Sequence, residues 1–359
     1  MLDGLMATAP AVAAMLREAG DIDSAATFPV GLWLSDEASR ELEAPGEAER
    51  LRERLARRGL VVAGLNGFPF GDFHGRVVKH AVYEPHWADP RRLEYTVRLA
   101  GLLARLVPSG TATAGVTTLP IGWRSTFADP AAVEAAKGNL AAAVESLRAL
   151  GDRSGIEIHL DLEPEPGCLL ERAGETAELL AEVHDRVGGD EARGVLRACH
   201  DVCHAAVLFE DQEMSLASYR ARGVRIGRVQ VSNAIAFDGT AHDFRSLRPF
   251  DEPRWLHQTA VLSGSGRVHC YEDLPQAIEE APEGFWRVHF HVPVFAGSLG
   301  RVETTRSEIG ECLAALVPED GCDFLEVETY AWTVLPPALR PASLEAGIAE
   351  EIRFVRGLI

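Results

Sequence analysis

The chain has 359 residues, 47% of them hydrophobic and 25% charged, with a formal net charge of −19. A field of that sign repels polyanions, so nucleic acid and anionic membrane surfaces are not expected partners. No apolar run approaches the roughly 18 residues of a membrane span. The six cysteines are scattered without a secretory signal, so a disulfide framework is not expected and the cytoplasm is the expected compartment.

The opening MLDGLMATAPAVAAMLREAG lacks a basic leader and carries Asp3, Arg17 and Glu18, so residues 1–27 read as an N-terminal helical segment. Strands are then predicted at FPVGLWLS (28–35), LVVAGLNGF (60–68), TATAGVTTLP (111–120) and IEIHLDLEP (156–164). They continue at GVLRACHD (194–201), VRIGRVQVS (224–232), WRVHFHVPV (286–294) and DFLEVETY (323–330). Amphipathic helical stretches such as EAERLRERLARRG and ETAELLAEVHDRVG separate them. This alternation predicts an α/β fold of parallel β-α units, and eight such units close a (β/α)8 TIM barrel, here one domain over 1–359. The rival is an open doubly wound sheet, whose GxGxxG turn follows none of the strands.

After the second strand, LNGFPFGDFHGRVVKHAVYEPHW opens a Gly- and aromatic-rich loop over 65–90 that reads as a lid on the barrel mouth. It carries Asn66, Asp72, His74 and Lys79. The blander reading is a loop packed on Phe68, Phe70 and Phe73. Lys79 is a weak candidate for a Schiff-base or phosphate-binding lysine.

The later strands begin apolar and end polar. A barrel interior is expected to be filled with branched apolar side chains, so the polar ends belong at the C-terminal rim, where barrel active sites form. Those rims carry Glu163, Glu165, Asp201, His204, Gln230, His289, His291, Glu326 and Glu328. Within each of the pairs Glu163/Glu165, His289/His291 and Glu326/Glu328 the side chains share a strand face, because the period is two. Facing inward, they need a metal, a substrate or each other. In ACHDVCHA (198–205), a CxxxC spacing with no second cysteine pair does not make a structural zinc site. Cys199 and Cys203 read as buried bystanders. Asp201 and His204 can face one cation, while a helix N-cap is the competing role for Asp201. Carboxylates with an imidazole suit Mn, Mg, Co or Zn.

The motifs EPEPG, DVCH, QVS, HFHVP and EVETYAW, with NGFPFGDFHG upstream, resemble the Ebo-cluster metabolite traffic protein family, within the xylose isomerase-like TIM barrels. The resemblance runs from about Val30 to the C-terminus. It implies a divalent metal held by Glu163, Asp201, His204, Gln230 and Glu328, with Gln230 standing where many relatives have histidine. It also implies proton transfer by Glu163 and Glu328, and substrate contacts from Asn66, His74, Glu165, His289, His291, Glu326 and Trp332. Relatives begin with a strand like Y-C-T-N-x-H-P, whereas this chain starts on a helix, so the first stave is expected to be lacking or altered. Counting that strand would make nine candidates, with VRIGRVQVS or WRVHFHVPV as an extra segment. The expected function is a metal-dependent isomerase or epimerase of a sugar, cyclitol or related polyol. The alternative is a non-catalytic binding or traffic protein holding a small metabolite in the same mouth. An endonuclease-like role is disfavoured by the acidic charge, and the exposed helices offer no clear self-complementary patch.

Overall fold

A computed structural model describes residues 2–71, 73, 77–240 and 244–359. Asp72 and His74 lie outside the described residues. Six strands follow one another in parallel: β1 (Phe28–Trp33), β2 (Leu60–Asn66), β3 (Thr113–Thr118), β4 (Glu157–Leu162), β5 (Leu196–Asp201) and β6 (Ile226–Val231). The chain then leaves this sheet for six short strands: β7 (Ile235–Asp238), β8 (Thr259–Leu262), β9 (Val268–Tyr271), β10 (Phe285–Val288), β11 (Ser298–Leu299) and β12 (Val302–Thr304). It returns as β13 (Leu325–Val327), parallel to β6. The first sheet is a nearly closed seven-stranded barrel with β1 and β13 at its open edges. Across that seam the Glu326 carboxylate lies against the Cα of Gly31, where any Cβ would overlap it.

Local chemistry explains most of these elements. The barrel strands are buried on both faces, β4 from Ile158 onward and β5 and β6 throughout, as parallel strands covered by helices must be. Helices Pro90–Leu106 and Pro130–Ser154 each start on an Asp-Pro pair. Asp89 and Asp129 accept from the backbone N–H two residues on, at 2.9 Å in each case, and proline fills the first helical position, where no N–H is needed. Helix Leu2–Glu18 packs on helix Leu344–Arg356 and on β1, beside the seam. Among the described residues no helix is long and apolar enough to cross a membrane.

One predicted stave is corrected. WRVHFHVPV is not part of the barrel: its strand portion, β10, lies antiparallel between β7 and β8 in a separate sheet of order β11-β12-β7-β10-β8-β9. Trp286, Val288 and Phe290 enter a second hydrophobic core on one side. Arg287, His289 and His291 face the other way. That alternation belongs to an antiparallel strand with one polar face, whereas a barrel stave is apolar on its outer side. The segment therefore delivers His289 and His291 to the barrel mouth from the side. Strands β7, β8, β9, β11 and β12 were not predicted; all have four residues or fewer, too short for a periodicity signal.

The barrel interior also departs from the apolar filling expected of it. Below the rim, buried Arg228 pairs with Glu326 and donates to the Gly115 carbonyl at 3.2 Å, and His159 Nδ1 meets Asp161 Oδ1 at 2.6 Å. Room for these groups comes from glycines: a Cβ on Gly64 would strike the Arg228 guanidinium, and one on Gly115 or Gly227 would strike His159 or Asp161.

Candidate active site at the barrel mouth

Above this charged layer each strand offers a second set of polar groups. On β4 and its exit, His159, Asp161 and Glu163 point inward by the strand period. On β6, Gln230 follows inward-facing Arg228 and pairs in register with Asp201 of β5 and Glu326 of β13. After β13 the chain supplies Glu328. The structure brings Glu163, Asp201 and Glu328 together, with one oxygen of each within 4.8 Å of the others. Glu163 is 4% exposed, Asp201 2% and Gln230 1%.

Their hydrogen bonding is incomplete in a consistent way. Asp201 Oδ1 accepts from the His204 N–H and from Ser232 Oγ, each at 2.8 Å, and so caps the helix Val202–Val207. Asp201 Oδ2 has no partner. The capping role and the site-facing role are thus both present, one on each oxygen. Glu163 Oε2, Gln230 Oε1 and Glu328 Oε2 are likewise shielded acceptors without a donor. Burial, then the negative charge of the neighbouring carboxylates, pushes the Glu163 and Glu328 carboxyls well above the ordinary range. For Asp201 burial acts in the same direction, but His204, His291 and two hydrogen-bond donors outweigh it and hold the carboxyl low.

Three imidazoles stand beside the carboxylates. His204 Nδ1 donates to the Pro164 carbonyl at 2.7 Å, which leaves Nε2 with its lone pair, 3.4 Å from His291 Nε2. His289 Nδ1 donates to Gln258 Oε1 at 2.8 Å, so its unpartnered Nε2 is also a lone-pair atom. Burial lowers His289 far below its ordinary value and brings His291 down to about 4, so both rings are neutral. Gln258 is oriented by its own amide N–H groups, which donate to Glu165 Oε1 at 3.0 Å and to Tyr83 Oη at 2.9 Å; Tyr83 donates to Glu165 at 2.6 Å.

Most of these groups form the floor of a cavity of about 480 Å³, while Asp201 and Gln230 are buried behind it and are not among its lining residues. Asn66, Glu163, Glu165, His204, His289, His291 and Glu328 line it. Two expected substrate contacts do not. Glu326 is held by Arg228 in the layer beneath, and Trp332 is buried in the second hydrophobic core. Lys79 reaches the cavity wall but forms an ion pair with Asp273, so it is no free Schiff-base or phosphate lysine. Of the two bystander cysteines, Cys199 is buried, while Cys203 Sγ comes within 4.8 Å of imidazole nitrogens of His289 and His291. Burial raises both thiols well above their ordinary value, so both stay protonated. Sequence reasoning missed Tyr83, Gln258 and Tyr330, which stacks on His291 with ring centres 4.7 Å apart. Tyr330 lies inside the EVETYAW motif, whereas Gln258 follows no pattern at all.

No protein-family model and no curated protein matches the chain. Among solved structures it is similar to an L-ribulose 3-epimerase, with a TM-score of 0.50 and 15% identity over 95% of this chain and 87% of that one. It is also similar to the probable 3-DHS dehydratase AsbF involved in petrobactin synthesis from Bacillus anthracis (TM-score 0.46, 14% identity, 91% and 88% covered). A third is an IOLI protein with a bound zinc atom (TM-score 0.45, 13% identity, 91% and 86% covered). At these identities the likeness is one of fold alone, that of a parallel α/β barrel. The expected resemblance to the Ebo-cluster family finds no support in these comparisons.

Proposed function

We propose that the mouth holds a divalent cation, Mn, Mg, Co or Zn, and that the protein is an isomerase or epimerase of a sugar, cyclitol or related polyol. The observation that carries this reading is the set of four shielded acceptors, Glu163 Oε2, Asp201 Oδ2, Gln230 Oε1 and Glu328 Oε2, none of which has a donor. Three carboxylates this close repel one another unless protonated or shared by a cation, and oxygen donors with a nearby imidazole suit the ions named. Glu163, Asp201 and Glu328 would hold the ion, with Gln230 and His204 completing its shell. When bound, the ion supplies Lewis-acid polarisation of a substrate carbonyl and so acidifies the adjacent C–H.

The chain's own residues supply the rest. Glu163 arrives from β4 and Glu328 from β13, so their carboxylates flank the same bound carbon. One takes the proton at the carbon α to the carbonyl and the other returns it. Nε2 of His289, fixed as an acceptor by Gln258, orients a substrate hydroxyl. Asn66 and Glu165 add polar contacts at the wall. The aromatic residues above exclude water from the exchange. A small uncharged metabolite in the cytoplasm is the partner this implies.

Metal analysis after dialysis against Mn²⁺, combined with deuterium incorporation from D₂O into a panel of free ketoses and keto-cyclitols, tests the proposal. Wild type is expected to take up the ion and to exchange the α-hydrogen of its substrate, and Glu163→Ala to do neither. A protein without metal, in which Glu163→Ala behaves as wild type, would falsify the mechanism. The neutral ligand Gln230 favours the second reading, a non-catalytic metabolite carrier; ion uptake with no exchange on any compound of the panel would select it.

A further inference from the structure

The cavity has two unlike ends. Its floor carries the carboxylates and imidazoles described above. Its upper wall is built from Trp33, Phe68, Phe73, Val82, Trp255 and Tyr330. The rings touch in a continuous series from the floor outward. Tyr330 stacks on His291, Trp255 meets Tyr330 at 4.8 Å between ring centres, Phe73 stacks on Trp255 at 5.3 Å, and Trp33 meets Phe73 edge-on at 6.4 Å. Four separate parts of the chain contribute: the end of β1, the loop after β2, the segment before β8 and the exit from β13.

This wall has little to offer hydroxyl groups. Both indole N–H donors are spent on main-chain carbonyls, Trp33 on Pro69 at 2.8 Å and Trp255 on Phe73 at 3.2 Å. Asn66 Oδ1 is taken by the Phe68 N–H at 3.0 Å and the Tyr83 hydroxyl by Glu165, so the polar atoms this wall still offers among the described residues are the Asn66 Nδ2 donors and the Tyr330 hydroxyl. A polyol filling the whole cavity would leave its outer hydroxyls unpaired and desolvated, at a cost in affinity. Nor does the wall suit a phosphate. Among the described residues the one Lys or Arg that lines the cavity is Lys79, and its ammonium is held by Asp273, which also accepts from the His257 and Leu274 N–H groups at 3.0 Å each.

We infer that the ligand is an uncharged, amphipathic molecule: two neighbouring oxygens at one end, seated on the carboxylate and imidazole floor, and a hydrocarbon or aryl body along the Tyr330–Trp255–Phe73–Trp33 wall. Within the polyol class proposed above, the described residues favour a head that carries an apolar substituent over one that carries a phosphate. The inference depends on the metal reading only for the oxygen end of the ligand; the apolar end follows from the wall.

Hydroxamates offer two adjacent oxygens on a tail that can be varied, so the test titrates acetohydroxamate, octanohydroxamate and phosphoglycolohydroxamate into the Mn²⁺-loaded and the EDTA-treated full chain. Binding is followed by calorimetry and tryptophan emission, and Mn²⁺ uptake is measured separately. Each buried methylene strengthens binding about fourfold, so octanohydroxamate is expected to bind at least a hundredfold more tightly than acetohydroxamate. Phosphoglycolohydroxamate is expected to bind no more tightly than acetohydroxamate, and Trp255→Ala to cut the tail-length preference at least tenfold. The wild-type comparison decides the matter even if that variant does not fold. Failure to take up Mn²⁺, with the tail-length preference intact on metal-free protein, would remove the metal reading and leave this one standing. An affinity independent of tail length, a preference for the phosphorylated probe, or no binding of octanohydroxamate in either metal state would overturn it.

Discussion

Two polar layers lie one above the other inside the same barrel, and the same strands build both. β4 places Asp161 in the lower layer and Glu163 follows it in the upper; β6 gives Arg228 and then Gln230; β13 gives Glu326, and Glu328 follows. The lower layer contains its own cation, Arg228, whose guanidinium the surrounding carboxylates keep protonated although burial alone would lower its pKa. The upper layer has three carboxylates beside its histidines and no lysine or arginine among its described residues. The lower layer holds its own counter-cation, although Asp161 Oδ2 and Arg228 Nε lack hydrogen-bond partners. The other has the composition of a receptor for a cation from outside, and steps of two residues along three strands separate them.

Removing the lower cation should have the largest effect. Arg228→Met leaves Glu326 without its partner in a confined site, and denaturant unfolding is expected to show a loss of about 3–5 kcal/mol. Adding Glu326→Leu should restore part of it. If both layers were equally self-sufficient, the double variant would recover nothing.

Adding the missing upper cation comes next. At a free Mn²⁺ concentration a hundredfold above Kd, wild type is expected to gain about 2.7 kcal/mol of unfolding free energy, and Glu163→Gln or Asp201→Asn much less. Equal gains in all three proteins would place the ion elsewhere.

Without metal, the sign reverses for Glu163. Glu163→Gln replaces a carboxyl under repulsion with a neutral amide, and metal-free protein should gain about 1 kcal/mol at neutral pH. The pH course sharpens this. The folded pKa of Glu163 and Glu328 lies above the ordinary 4.5, so their contribution to stability is complete below that value and is lost as pH rises through the raised one. His289 and His291 have lowered folded values, so theirs is complete above the ordinary 6.5 and lost as pH falls. Above 6.5 the histidine contribution is flat. From pH 4.5 upward metal-free wild type should lose stability with rising pH more steeply than Glu163→Gln, and saturating Mn²⁺ should flatten the wild-type course. Glu210 and Glu351, raised to about 7, contribute the same trend to both proteins, so the difference between the two Tm curves is the quantity to read.

The smallest effect is expected at Ser232, which donates to Asp201 Oδ1 and accepts from the Cys203 N–H, both at 2.8 Å. Ser232→Ala should weaken Mn²⁺ binding about tenfold, by freeing the carboxylate to turn, with a stability loss of about 1 kcal/mol. A Kd within twofold of wild type would show that Asp201 needs no such orientation.

Seven of the eight predicted strands appear in the barrel, because parallel staves covered by helices must be short apolar runs between amphipathic stretches, and that pattern is local. WRVHFHVPV was misplaced although its strict alternation was visible, because strand–helix alternation elsewhere in the chain favoured one more stave. The convergence of Glu163, Asp201 and Glu328 was legible because strand ends in a parallel barrel share one rim. Arg228 was not legible as their lower neighbour: an arginine in a strand reads as an edge or surface residue until glycines on other strands, Gly64 and Gly115, are seen to leave it room. Gln258, which fixes the tautomer of His289, lies in a segment with no periodicity.

The sequence by itself determined the order of strands and helices, the rim on which acidic and imidazole groups gather, and the capping chemistry that starts the helices, since each depends on residues a few positions apart. Only the tertiary structure decided which charges are neutralised and which are left to a ligand, which oxygen of Asp201 caps a helix and which is left without a donor, and that His289 and His291 enter the mouth from a second sheet. Those outcomes depend on contacts between residues far apart in the chain, such as Tyr83 and Gln258, 175 positions apart, and a local pattern carries no information about such contacts.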